Sequence, residues 1–295
     1  ALPREAVLSI GVFDGVHRGH KHLLRRLKEK AKEQGLLPAV VTFDRHPSEV
    51  LSVNGSPPQL MALADRLALL NGLGLEVILL TFTRQMAQVK AATFLSLLQQ
   101  YLRMKGLVVG TDFALGRGRE GDVSALPRLA QEMGFSLELV PPLKLGGEVV
   151  SSTAIRQALD QGDMARVRRL LSHPFSLRGQ VVVGAARGKL LGFPTANLAL
   201  AQHQALPADG VYASLAYLDS KAMASVTNVG TSPTFNGQER KVEVHIFDFE
   251  QELYQKMLRV EFITRLREER KFANPEELQS QLKRDVIQAR EILAL

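Results

Sequence analysis

Gly11-Val12-Phe13-Asp14-Gly15-Val16-His17-Arg18-Gly19-His20 marks a junction from which the fold class can be inferred. It overlaps the end of a short apolar run, Val7 to Phe13, which predicts a strand with apolar residues on both faces. After it, from His20 to Lys32, Leu23, Leu24, Leu27 and Ala31 recur at helical spacing. The decapeptide therefore sits where a strand ends and a helix begins. A helix N-terminus there offers unpaired N–H groups and a positive dipole end to a phosphate. Gly15 and Gly19 let the backbone approach such a ligand, and Gly11, Phe13 and Asp14 are candidate nucleotide-binding residues of the same turn. His17 and His20, three apart, can share one pocket and stabilise charge on a transferring phosphoryl group. Taken alone, the same two histidines also read as surface or capping residues.

Outward from this turn the pattern repeats. Strands are predicted at Ala39–Phe43, Val77–Phe82, Leu107–Gly110 and the LELV segment after Met133. Helical spacing runs through Phe94, Leu95, Leu98 and Leu102, and again through Leu129 and Met133. Short apolar strands alternating with helices predict an α/β domain with a Rossmann-like parallel sheet covered on both faces. Ligands of such sheets bind beyond the strand carboxyl ends. Near Gly162 the pattern changes. Two short helices, Thr153–Leu159 and Met164–Leu171, lead to a break at His173-Pro174. Strands then follow one another without helices: Phe175–Val183, Val211–Leu218, Ala222–Val229, Lys241–Phe249 and Leu258–Phe262, with turns at Gly184, Asp209-Gly210 and Asn236-Gly237. That order predicts a small antiparallel β-barrel. A final helix opens on Asn274 as N-cap with Pro275 and Glu277 behind it, and carries Leu278, Leu282, Val286, Ala289 and Leu293 as its apolar stripe. The expected domains are 1–160 and 174–295.

Bulk properties narrow the partners. The 295 residues carry a formal charge of +7, which suits anions such as nucleotides, nucleic acid or acidic lipid without choosing among them. The basic runs around Arg25–Lys32 and Arg265–Lys271 are interleaved with Leu or Glu and read as solvated faces. No clear basic stripe with interleaved aromatics is present, so no nucleic-acid partner is expected. With no cysteine there are no disulfides, zinc thiolates or cysteine nucleophiles. Ala1–Ile10, interrupted by Arg4 and Glu5, is no signal peptide, and no apolar run nears the ~20 residues of a membrane span. A cytoplasmic protein without a membrane partner is expected, and no signal fixes its oligomeric state.

Further constellations carry chemistry. Ser151-Ser152-Thr153-Ala154-Ile155-Arg156 opens a helix, where hydroxyls and amides bind phosphate oxygens and Arg156 adds a bidentate cation. It is equally an ordinary N-cap sequence. Gly116-Arg117-Gly118-Arg119-Glu120-Gly121 satisfies GxGxxG but neither follows the first strand nor opens a long apolar helix. It reads instead as a flexible basic loop that closes on phosphates, with Arg119 a nucleotide contact. In the second half, Gly184, Gly188, Lys189 and Gly192 form a glycine-rich loop whose spacing fails the Walker pattern but still suits phosphates. Thr195 and Asn197 face one side of extended chain and offer oxygens to Mg²⁺; a Pro-Thr turn is the other reading. In Lys241–Phe249, Val242, Val244 and Ile246 share the core face, and Glu243 and His245 point the other way.

Taken together, GVFDGVHRGH, TFDRHP (42–47), GTDFALGRGREGD (110–122) and SSTAIR, followed by GFPTAN, GVYAS, NVGTSPTF and VEVHIFDF, resemble the bacterial bifunctional FAD synthetases over nearly the whole chain. The resemblance implies an N-terminal FMN adenylyltransferase domain and a C-terminal riboflavin kinase domain, with ATP as co-substrate, riboflavin and FMN as acceptors, FMN and FAD as products, and Mg²⁺ as the metal. It implies that His17, His20, Ser152, Thr153 and Arg156 hold ATP phosphates and that Asp112 contacts the nucleotide. It further implies that Thr195 and Asn197 bind Mg²⁺ and ATP, and that Glu243 is the general base. Lys189 stands where the family often has Arg, keeping charge but losing a planar fork. Leu115 stands where an aromatic is common, leaving Phe113 and Phe43 as candidates for flavin stacking. The last helix matches one that borders the flavin site. Three other readings are weighed on residues alone: another nucleotidyl acceptor for the first domain; nucleic-acid binding, suggested by the basic charge and HxGH; and a flavin-storage module without catalysis, against which the intact HxGH, PTAN and Glu243 argue.

Overall fold

The computed structural model describes residues 2–52, 55–184, 188, 191–219, 221–234 and 237–294, without the side chains of 232–239. The described chain forms two compact units: Ala1–Pro57 with Leu63–Ser152, and Pro58–Ala62 with Thr153–Leu295.

In the first unit the elements run β1 (Ala6–Ile10), α1 (Arg18–Glu33), β2 (Leu37–Phe43), α2 (Pro47–Leu51), α3 (Leu63–Gly72), β3 (Glu76–Leu80), α4 (Ala91–Leu102) and β4 (Met104–Gly110). The hairpin β5 (Ala114–Leu115) and β6 (Gly121–Asp122) precedes α5 (Leu126–Met133), β7 (Ser136–Val140) and the hairpin β8 (Lys144–Leu145) and β9 (Glu148–Val149). The main sheet has the order β3-β2-β1-β4-β7, with every pair parallel. Leu8, Ile10, Val41 and Val109 cluster with Leu95 and Leu98 of α4 and Leu126 and Leu129 of α5. Leu24, Leu27 and Ala31 of α1 are buried too, and α1 packs on β1, β2 and β4. Covering the sheet on both faces explains why β1 is buried at all five positions.

The first strand is shorter than its apolar run predicts. It stops at Ile10 because the chain turns at once: Phe13 and Val16 have φ of 54° and 37°, and Val16 N–H donates to Phe13 O. The apolar side chains continue into the turn, where Phe13 and Val16 are buried, so composition overshoots the strand end.

The second unit begins with α6 (Ser152–Asp160), whose first residue belongs to the first unit, and α7 (Met164–Leu171). Then come β10 (Phe175–Val182), β11 (Ala196–Ala199), β12 (Gly210–Leu218), β13 (Lys221–Thr234), β14 (Gly237–Ile246) and β15 (Met257–Glu268). These close a barrel in the order β10-β11-β14-β13-β12-β15, all antiparallel. Phe175, Tyr212 and Phe262 meet inside it. The buried hydroxyls of Ser214, Ser225 and Thr227 satisfy one another at 2.7–2.8 Å. On the opposite face Val211, Ala213, Val226 and Phe247 form a second cluster with Ala289 and Val286 of the closing helix, Pro275–Ile292. Asn274 caps that helix by accepting from Glu277 N–H at 2.8 Å, and Glu277 reaches back to Ala273 N–H. Asp209-Gly210 and Gly184 fall at strand ends, whereas Asn236 of the third expected turn lies outside the described residues.

Candidate functional sites

The first site is built at the carboxyl ends of the parallel strands. His17 is the N-cap of α1, and its Nδ1 accepts from His20 N–H at 3.2 Å. That commits Nδ1 as an acceptor and leaves Nε2 to carry the ring proton. The His17 and His20 rings stack at 3.6 Å, and Phe13 meets His20 edge-on at 5.3 Å. Burial holds the His20 ring well below the usual imidazole range, helped by neighbouring His17 and Arg66. His20 is therefore neutral at pH 7. Its Nδ1 is buried without a hydrogen-bond partner among the described residues.

Residues far apart in sequence meet here. Ser152 Oγ donates to Asp14 O at 3.0 Å, tying the start of α6 to the turn. A Cβ on Gly19 would stand 2.8 Å from Val150 O and 3.0 Å from the His17 ring, so Gly19 is required by close packing. Thr153 and Arg156 follow on α6 and are counted with the second unit, where Arg156 Nε donates to Pro58 O at 2.6 Å.

The loop after β4 supplies Asp112 and Arg119, joined by Arg119 Nη2 donating to Asp112 O at 3.3 Å. It is not a free flap, as the sequence suggests. Gly116 (φ 79°) and Gly121 press on Ala91, where a Cβ would stand 2.6 and 2.7 Å from Ala91 atoms, and Glu120 accepts from Ala91 N–H at 2.7 Å. The glycines serve this packing against the start of α4.

Sequence reasoning missed Arg66. This arginine of α3 is 5% exposed and donates to Val12 O at 2.8 Å and to Phe43 O. Its signal is a lone cation among the apolar residues of LADRLALL.

The second site lies on the barrel wall. Asn197 of β11 pairs with Glu243 of β14, and Glu243 pairs in turn with Asn228 of β13. Cross-strand partners share a face, so the amide, the carboxylate and the second amide form one row. Val242, Val244 and Ile246 are at most 5% exposed, whereas Glu243 and His245 are half-buried. The alternation read from the sequence is thus the one observed. The loop pieces abut this row. A Cβ on Gly184 would stand 2.0 Å from Asn197 Nδ2. A Cβ on Gly188 would stand 2.3 Å from Phe193 O and 3.5 Å from Thr195 Cγ2, and Phe193 N–H donates to Gly188 O. Gly192 turns at φ 84°, and His245 Nδ1 is bonded to Pro194 O at 2.8 Å. Lys189 lies outside the described residues. A cavity of about 520 Å³ opens beside Gly184 and Asn197, lined also by His203, Arg240, Lys241 and Val242, a volume within the usual range for small-molecule pockets. Thr195 and Asn197 offer hard oxygen donors next to a carboxylate, a set that fits Mg²⁺ when phosphates and water complete its shell.

Residues 1–154 match the family model for FAD synthetase, and residues 171–293 the model for riboflavin kinase. The chain is 40% identical over 297 aligned residues to the bifunctional riboflavin kinase/FMN adenylyltransferase of Escherichia coli K12, covering 99% of this chain and 95% of that one. It is 35% identical to that of Bacillus subtilis 168, with 95% and 90% covered. This chain belongs to the bifunctional riboflavin kinase/FMN adenylyltransferases. A crystal structure described as a macrolide-efflux protein from Streptococcus pneumoniae superposes with a TM-score of 0.88 at 32% identity, covering 98% of this chain and 95% of that one.

Within the FAD synthetase segment, Leu115 is 8% exposed and packs in the sheet core against Gly121. Phe43 is also buried, edge-on to Phe82 at 5.4 Å, while Phe113 is partly exposed. The riboflavin kinase segment contains Glu243, Thr195, Asn197 and the closing helix, whose Gln279 donates to Leu191 O at 3.1 Å beside Gly192.

Proposed function

We propose that this chain phosphorylates riboflavin to FMN with ATP in its barrel and adenylylates FMN to FAD with a second ATP in its first domain, releasing pyrophosphate. Residues 1–160 form the transferase and 174–295 the kinase. The observation that carries this reading is the register of Glu243 beside Asn197, with glycine loop pieces and a cavity next to them.

In the barrel, Glu243 accepts the proton of the riboflavin 5′-hydroxyl as that oxygen attacks the γ-phosphorus of ATP and ADP leaves. Thr195 and Asn197 orient the phosphates and would hold Mg²⁺, which supplies charge neutralisation when bound. Gly188, Lys189 and Gly192 cradle the phosphates through backbone N–H groups and charge.

In the first domain, a phosphate oxygen of FMN attacks the α-phosphorus of ATP, and the bond to the pyrophosphate oxygen breaks. His17 and His20 stabilise the charge that builds on the transferring group; a neutral His20 fits that role as a hydrogen-bond donor. No covalent adduct is needed. Gly11, Phe13, Asp14, Asp112, Arg119 and Ser152 position the nucleotide, with Thr153 and Arg156 as further phosphate ligands. Phe113, the more exposed of the two candidate rings, takes the flavin. We place the reaction in the cytoplasm; among the described residues no helix is long and apolar enough to cross a membrane.

Incubation with riboflavin and Mg-ATP, with products separated over time, tests this directly. FMN is expected first and FAD after it. FMN accumulating without FAD would hand the first domain to another acceptor, and no FMN at all would sink the kinase assignment.

A further inference from the structure

Resting on the adenylyltransferase reading above, we infer that Arg66 is a positioning residue for FAD formation: from α3 it ties the turn after β1 to the end of β2 and so fixes the turn that carries His17 and His20.

Arg66 is 5% exposed. A guanidinium stays charged at any working pH, and burying one is unfavourable unless its donors are used. Here two are used on backbone carbonyls, one in the turn after β1 and one at the end of β2, while Nε has no partner among the described residues. Nη1 donates to Val12 O at 2.8 Å, and Nη2 to Phe43 O, the last residue of β2. Thr42 Oγ1 donates to the same Val12 O at 3.2 Å. An apolar side chain would fill the volume without a desolvation penalty but would leave both carbonyls without this donor.

Val12 is where such a hold matters. The next residue, Phe13, has φ 54°, and Val16 has φ 37°. Neither is glycine, and a β-branched residue in that region is an outlier that persists only when its surroundings impose it. Phe13 contacts the His20 ring, and His17 caps the helix that follows. Moving Val12 therefore moves both imidazoles.

Arg66 also sets the local charge. Asp14, Asp44 and Glu49 act on it from the turn, the end of β2 and α2, and partly offset the burial that lowers its own proton affinity. Towards His20 it adds to burial and to His17 in disfavouring the imidazolium. Removing the cation takes away its share of that effect, so His20 protonation shifts to higher pH.

The test uses the full chain as wild type, Arg66→Lys and Arg66→Gln. FAD formation from FMN and Mg-ATP is followed across pH, FMN formation from riboflavin is measured in the same samples, and the His20 ring is titrated by NMR. In R66Q, kcat for FAD formation is expected to fall about 10²-fold, the loss associated with a misplacement near 1 Å. Its acid limb and the His20 titration should move to higher pH, with FMN formation unchanged. R66K keeps the charge, so the limb should stay; an ammonium does not fork onto two carbonyls, so kcat still falls. Should R66Q fail to fold, R66K decides. Wild-type kcat in R66K, or an equal loss of both activities in it, overturns the proposal. So does an unmoved His20 titration in folded R66Q. A wild-type chain that makes FMN but no FAD instead refutes the adenylyltransferase reading, and this proposal with it.

Discussion

The turn after β1 and the row on the barrel wall both gather groups that we propose handle phosphate, but they are assembled differently. In the turn, His17 and His20 are neighbours on one helix end and stack because the chain is short between them. Their orientation depends on distant residues: Ser152 on Asp14 O, Val150 against Gly19, and Arg66 on Val12 O. In the barrel wall, Asn197 and Glu243 are far apart in sequence and meet through strand register alone. One site is a local motif steadied from afar; the other is a distant pair fixed by a regular ladder. A slip of one residue would turn Glu243 into the core, whereas the turn has no register to slip.

Glu243→Gln should separate the two sites most strongly. The substitution keeps size and register and removes the proposed base. FMN formation should fall roughly 10²–10⁴-fold, the range for losing a general base, while FAD formation from supplied FMN stays intact. Product separation reads both. Undiminished FMN formation would remove Glu243 from the chemistry.

Next in size is the double change His17→Ala with His20→Ala. Loss of preorganised transition-state donors costs roughly 10²–10³-fold, here on FAD formation only. His17 Nδ1 also caps α1, so circular dichroism should accompany the assay to separate a weakened cap from lost chemistry. Riboflavin phosphorylation falling in step would mean the two sites are not separate.

The same difference decides what the sequence makes legible. The parallel sheet was legible because strands buried on both faces read as continuous apolar runs. Glu243 was legible because period-two alternation set it apart from Val242, Val244 and Ile246. The two motifs of the turn were legible as motifs, but not the carbonyl of Asp14 that receives Ser152. Arg66 was illegible for a physical reason. A charged residue on the core side of α3 interrupts the apolar stripe that would have announced the helix, and isolated cations read as solvated. Asp285 is a parallel case. It is 1% exposed within the stripe of the closing helix and bonded to Arg267 at 2.9 Å, a pairing that only the folded barrel supplies. The strand β11 was hidden by its four-residue length directly after Pro194-Thr195.

Gly184→Ala is the smallest and most selective change. Gly184 has no left-handed φ, so alanine is acceptable to the backbone. The new methyl would overlap the Asn197 amide, 2.0 Å from Nδ2 and 2.5 Å from Cγ, so the short Asn197 side chain or the loop must shift. Asn197 is held in β11 between Val182 and Glu243 on the two neighbouring strands, which leaves its side-chain torsions as the softest response. FMN formation should drop by about 10–10²-fold, less than for E243Q because the base remains, and raising Mg²⁺ should recover part of it. If the amide is only a structural filler, the variant will run at wild-type rate at every Mg²⁺ concentration. A ladder site would then tolerate a displaced partner in a way that the tightly packed turn around Gly19 does not.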